Sequence, residues 1–214
     1  YLEEGELSPD ELKSGLRKGV ISCGIIPLIC GSAVKCIGVS MLMDLVVSSF
    51  ASPVDRGPVK GKKPGTEEIE ERKPSEDDPF SAIVFKTIAD PYAGRLTLFR
   101  VYSGKLNSDS TVFNSTKKTS EKFGNIFYLE GKAQKPAETL IPGDIAGVAK
   151  LKETVTGDTL CSDKAPIIFE KVPVPPPIMS FAVEPKSRGD EDKIASSINR
   201  LMEEDPTIVF SRNA

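Results

Sequence analysis

The sequence predicts a mainly β protein: a small antiparallel β-barrel, flanked by an α/β remnant and by half of a small α+β domain. Three observations carry this. Residues 79–169 hold short β-like runs separated by turn signals, with no helical period among them. Residues 1–52 read as helix, strand, helix, and residues 178–214 as strand, helix, strand. Proline-rich stretches at 53–78 and 170–177 separate the three.

The first helix starts at Ser8-Pro9-Asp10-Glu11: a capping serine, proline in the first turn, then acids set against the helix dipole. Leu12, Leu16 and Val20 continue at helical spacing, and Gly19 marks the expected stop. Ile25 to Cys30 is a continuous apolar run, which suggests a strand covered on both faces, although Pro27 suits an edge or a strand start better. Gly31-Ser32-Ala33 turns the chain. Val39, Leu42, Met43, Val46, Val47 and Phe50 then recur at helical spacing. Two amphipathic helices and a buried strand need more sheet than this segment holds, so it reads as the last part of an α/β domain. The chain opens on Tyr1 and not on methionine, which reads as an excised or processed piece.

Residues 53–78 read as a linker, a solvated connector or hairpin. Large apolar side chains are almost absent, and from Thr66 to Asp78 there are seven acids and two bases. The barrel strands follow. Ala82, Val84 and Phe85 begin a run that ends at Asp90-Pro91, and Arg95 to Tyr102 alternates in the β period. Ser110 to Asn114, Lys122 to Leu129, Asp144 to Lys150 and Asp158 to Cys161 complete the set. Pro91-Tyr92-Ala93-Gly94, Ser103-Gly104, Asn107-Ser108-Asp109, Pro142-Gly143 and Thr156-Gly157 supply the turns. A barrel is favoured because closure removes exposed strand edges. Beyond the rigid Val172–Pro177 segment, Ile178 to Val183 reads as a strand, Asp190 to Glu204 as a helix ended by Asp205-Pro206, and Thr207 to Phe210 as β-like.

Composition limits the chemistry. There is no histidine and no tryptophan, which excludes Ser-His-Asp and Cys-His catalysis, an imidazole metal ligand and a histidine pH switch. A net charge of -3 argues against coating nucleic acid by bulk charge. Cys23, Cys30, Cys36 and Cys161 form no C-x-x-C pair, read as free thiols and suit a reducing cytoplasm. No apolar run reaches the roughly 18 residues of a membrane span, so no membrane partner is expected. Phosphate chemistry needs G-x-x-x-x-G-K-[ST], and the sequence has none, so the segment is not expected to be an enzyme. Glu184, Asp190, Glu191 and Asp192 sit where a helix dipole explains them better than a metal does. From Phe80 to Leu129 seven bases stand against three acids, a local excess able to meet RNA phosphates.

Several strings together resemble the translational GTPase elongation factor G. Gly31 to Val39 looks like that family's last guanine-nucleotide motif. Pro79-Phe80-Ser81-Ala82, Asp90 to Leu96, Arg100 to Gly104, Asn114-Ser115-Thr116, Gly143-Asp144-Ile145-Ala146 and Thr156 to Cys161 look like its second domain. Ala182 to Lys186 and Glu203 to Thr207 look like the opening of its third. Leu129 to Pro136 is more similar to a paralogous, elongation factor G-like branch. The resemblance implies that residues 1–52 end a GTPase domain, 79–169 form the translation-factor barrel of domain II, and 178–214 begin a ferredoxin-like domain III.

It further implies that Ser32, Ala33 and Val34 are guanine-loop residues of an incomplete site; from the residues alone they form an ordinary strand-to-helix turn. The longer protein would bind GTP or GDP with Mg, none of it held by this segment alone. The ribosome, through small-subunit RNA, would be the partner. Arg95, Arg100, Lys117 and Lys118 become RNA-contact candidates, the plain alternative being that they solubilise the barrel and guard its edges. A ribosomal protection or release-factor GTPase shares the barrel, and a free-standing RNA-binding or interaction barrel is the reading from another class. The catalytic histidine of this family lies in the GTPase switch region, upstream of these residues. Apolar faces in 1–52 and 178–214 are expected to be covered by the barrel, by each other or by self-association.

Overall fold

A computed structural model describes residues 5, 7–90, 94–131, 133–185, 187 and 189–211. The chain divides into two compact units, Tyr1–Gly57 and Pro58–Ala214.

In the first unit, α1 (Pro9–Ile21) starts with a capping box: Glu11 N donates to Ser8 Oγ, and Ser8 N donates back to the Glu11 carboxylate at 2.8 Å. The helix does not stop at Gly19 but runs on to Ile21. Gly19 is instead a packing point, because Ile25 folds back onto it and a Cβ there would sit 2.4 Å from Ile25 Cδ1. Its carbonyl accepts from both Gly24 N and Ile25 N. After α2 (Val39–Ser49), the short α3 (Pro53–Arg56) repeats the capping box with Ser52 and Asp55. Arg17 ties the unit together, donating to Ser48 O at 3.1 Å and pairing with Asp55 at 2.6 Å.

The expected strand over Ile25–Cys30 is not formed. The run lies outside any regular element, no strand lies beside it among the described residues, and Ile26 and Leu28 are 90% and 92% exposed. A strand is defined by its neighbour; β propensity without a partner gives only an extended backbone. Within this unit α1 and α2 touch, and among their residues only Ser49 is buried.

The second unit is antiparallel β. Its strands are β1 (Val59–Lys62), β2 (Ile69–Arg72), β3 (Ser81–Asp90), β4 (Gly94–Ser103), β5 (Leu106–Asn107), β6 (Thr111–Asn114) and β7 (Thr119–Lys122). Then come β8 (Ile126–Glu130), β9 (Ala133–Ala137), β10 (Thr139–Leu140), β11 (Ile145–Ala149), β12 (Thr159–Cys161) and β13 (Ile168–Phe169). Eight of them form one sheet in the order β7-β6-β12-β3-β4-β11-β8-β9, and β5 pairs with β10. The run read as a single strand over Lys122–Leu129 is two, because the chain breaks pairing between β7 and β8. The turn expected at Pro91-Tyr92-Ala93 lies outside the described residues.

The sheet curls around one core. Val84, Phe99, Val101, Val112, Phe123, Ile126, Leu140, Val148 and Leu160 belong to a single buried cluster, drawn from strands across the sheet, from β10 and from the β7–β8 connection. Its ladder is not closed strand to strand. Residues 106–110 lie between its ends instead: Ser108 N donates to Glu138 O after β9, and Asp109 N to Gly124 O after β7. Gly104 makes the tight exit from β4. Its φ is +71°, and a Cβ would meet the Phe80 backbone at 2.5 Å, so no other residue fits without moving the chain.

Residues 59–72, read by composition as a connector or hairpin, take the second form. β1 pairs with both β2 and β13, and this small sheet covers the outer face of the barrel. Ile83, Cys161, Ile167 and Phe169 form a second cluster there, with Val59, Tyr102 and Phe113 against it. Burial pushes the Cys161 thiol up, so it packs as a small apolar group. Arg72 is buried under this hairpin, donating to Ala165 O at 2.9 Å and pairing with Glu70 at 3.1 Å.

The helix expected over 190–204 is α4 (Glu191–Glu204). The strands expected over Ile178–Val183 and Thr207–Phe210 are not formed; no strand lies beside either among the described residues, and Ile178 and Phe181 are almost fully exposed. Asp190 accepts from Ser187 and pairs with Lys193, so it serves the start of the helix. Among the described residues no three Cys, Asp or Glu cluster as a metal site, and no helix is long and apolar enough to cross a membrane.

Candidate functional site

Two sets of residues stand out in the sequence, one in each unit. Ser32, Ala33 and Val34 occupy a tight turn. Ser32 and Ile37 exchange backbone hydrogen bonds at 3.0 Å in both directions, and Cys36 N donates to Ala33 O at 3.2 Å. The two arms of this turn cross closely at their glycines. A Cβ on Gly31 would lie 2.7 Å from Ile37 O, and one on Gly38, whose φ is +78°, would lie 2.9 Å from Cys30 O. The N–H groups of Ala33 and Val34 have no partner among the described residues, and both side chains are exposed. Two adjacent free donors at the mouth of a rigid turn suit an acceptor oxygen such as a guanine carbonyl.

In the second unit the four cations separate into two kinds. Arg95 is largely buried, and its guanidinium donates to Lys152 O at 3.2 Å and Thr154 O at 2.5 Å. Lys117 Nζ donates to the neighbouring Glu153 carbonyl. Both therefore hold the 151–158 loop. Arg100 and Lys118 do not join them. Arg100 is half-buried on β4, opposite Ile83 and Ile145. Lys118 is exposed at the β6–β7 turn with φ +57°. Neither side chain has a hydrogen-bond or ion-pair partner among the described residues.

The same loop is held from its other side by residues that sequence reasoning passed over. Glu121 is 7% exposed, and its carboxylate accepts from Lys152 N at 2.7 Å, Glu153 N at 3.1 Å, Thr154 N at 2.7 Å and Thr154 Oγ1 at 2.5 Å. Burial pushes its pKa up, but the Thr154 hydroxyl and the three N–H donors outweigh burial and hold it below its ordinary value of 4.5. Asn114 donates to Thr154 Oγ1 and to Asp158 Oδ2, and Val155 N donates to the same Asp158 oxygen. Asn114 Oδ1 accepts from Lys117 N, which shapes the β6–β7 turn that carries Lys118. The strings Asn114-Ser115-Thr116 and Thr156-Gly157-Asp158 are visible in the sequence, but no spacing rule links them to Glu121.

The family model for elongation factor G domain 2 matches residues 79–163, and that for elongation factor G domain III matches residues 174–214. A crystal structure of a protein from Thermus thermophilus aligns over 100% of this chain with a TM-score of 0.77 at 24% identity, a likeness of fold. The chain spans 30% of that longer protein. A curled antiparallel sheet leading through a proline-rich segment to a helix is thus the second domain of a translation factor running into its third. The chain belongs to the elongation factor G family, as a segment covering domain II and the start of domain III.

Proposed function

We infer that this segment belongs to a GTPase that acts on the ribosome in GTP-dependent translocation, in the cytoplasm. The observation that carries the reading is the order of the two matched domains, II then III, along one continuous chain. On this reading residues 1–52 end the GTPase domain, and the free N–H groups of Ala33 and Val34, beside Ser32, complete a guanine site whose phosphate- and Mg-binding parts lie elsewhere in the longer protein. The segment itself binds and orients; it performs no chemical step. The barrel docks on small-subunit RNA and passes the nucleotide state to the later domains.

Of the four candidate cations, Arg100 and Lys118 suit RNA phosphates best, because among the described residues no hydrogen bond or ion pair engages either side chain, whereas Arg95 and Lys117 are held by loop carbonyls. Arg95 and Lys117 serve the docking face indirectly by fixing the 151–158 loop. Charge reversal of Arg100 and Lys118 together in the full-length protein is expected to weaken ribosome binding. It should also lower the salt slope by about one per lost phosphate contact. Unchanged affinity and slope would remove both residues from the interface.

A further inference from the structure

The C-terminal end of α4 rests on the barrel through charge. Lys86 Nζ donates to the Glu204 carbonyl at 2.9 Å. Glu204 is the last residue of the helix, and its carbonyl is one that an α-helix leaves without an internal partner. A cation at that place also meets the negative end of the helix dipole. The charge of Lys86 reaches Asp205 as well, the residue that caps the helix. Beside it, Arg95 Nη1 lies 3.8 Å from Glu203 Oε1. The Arg95 guanidinium is fixed from within the barrel by its bonds to Lys152 O and Thr154 O, so it presents a pre-placed charge to the helix.

Lys86 is aimed at α4 by a β-bulge. The β3–β4 ladder pairs Val84 with Phe99 and Lys86 with Leu98, leaving Phe85 as an extra residue. Strict alternation from the buried Val84 would turn Lys86 inward. The bulge instead exposes Phe85 and Lys86 together and returns Thr87 to the interior. Bulges commonly re-aim one side chain in this way. Apolar burial contributes little here: Ile194 and Ile198 are only half-buried, and Leu201 and Met202 are exposed. The charge-assisted hydrogen bond and the partly exposed ion pair seen among the described residues each contribute modestly, roughly ten- to a hundred-fold together, a scale that permits reversal.

We propose that Lys86 and Arg95 form an electrostatic clasp that reversibly holds α4 on the β3–β4 edge and releases it when ionic strength rises. An isolated helix of 14 residues is marginal in water, so release also loosens the helix itself. The clasp is argued from these contacts and does not depend on the ribosome reading.

Hydrogen exchange read by mass spectrometry on the 214-residue chain tests it. In Lys86→Met, α4 peptides should exchange about ten-fold faster than in the unchanged chain at low salt. Glu203→Gln should show a smaller rise and Lys86→Arg almost none, with β3 and β4 peptides unaltered throughout. Added salt should speed α4 exchange in the unchanged chain and have a smaller effect in Lys86→Met, where only the Arg95–Glu203 pair remains. Equal α4 exchange in the unchanged chain and Lys86→Met, or no response of the unchanged chain to salt, would overturn the clasp. Should Lys86→Met disturb β3 itself, the Glu203→Gln and salt comparisons decide the matter alone.

Discussion

Phe99→Ala is expected to destabilise the β unit by about 3–5 kcal/mol, enough to unfold a large fraction of a domain of ordinary stability. Phe99 is 0% exposed and is among the largest fully buried side chains. Its ring meets that of Phe123 edge to face, with centroids 5.5 Å apart and planes at 63°. It sits on β4, the strand that pairs with both β3 and β11, so the void would open in the middle of the curled sheet. Neighbours anchored in three strands cannot collapse fully into it, which places the cost at the upper end of the range. Denaturant unfolding of the unchanged and substituted chains measures it, and a loss below about 1 kcal/mol would mean that the core is not centred there.

Glu121→Gln is the second large effect, expected at about 2 kcal/mol. The carboxylate accepts four hydrogen bonds from the 152–154 segment, and an amide supplies one acceptor oxygen where two are used. The substitution also carries a pH signature. Because the folded-state pKa lies below 4.5, the stabilisation is fully present above that value and is lost as pH falls through the folded pKa. The unchanged chain should therefore lose stability on acidification below about pH 4.5, and Glu121→Gln should flatten that part of the profile. Parallel acid limbs in the two proteins would mean that Glu121 does not hold the loop in its ionised form.

Much of the architecture is legible in the sequence because it is written in local signals. The Ser8 cap closes as a capping box where its helix is expected, whereas the Ser52 box that opens α3 lies at the start of the stretch read as a linker, with no helical pattern behind it. The barrel strands show themselves through alternation and turn residues. What composition hides is the β1–β2 hairpin, whose outward positions are nearly all charged. Lys60–Glu71 and Lys62–Glu67 pair across it or along its turn, so a strand pair looks like a solvated connector. The opposite error occurs at Ile25–Cys30 and Ile178–Val183. There the side chains are right for strands, but a strand needs a neighbour, and sequence pattern cannot show whether one is present.

The candidate site is legible by residue type more than by arrangement. Arg95, Lys117 and Glu121 converge on one loop from sequence separations of more than 30 residues. Their partners there are mostly backbone carbonyls and N–H groups. Backbone partners leave no trace in side-chain identity, so a cation that holds a loop and a cation that faces solvent look the same in sequence. The bulge at Phe85 is equally silent, since it shifts the phase of one strand without a glycine or proline to mark it.

The central claim is that this segment works within a nucleotide-controlled factor that binds the ribosome. Co-sedimentation of the full-length protein with ribosomes tests it most directly, with a non-hydrolysable GTP analogue in one arm and GDP in the other. The expected result is stable association with the analogue and loss of it with GDP. Association that is equal in both arms, or absent from both, would contradict the claim.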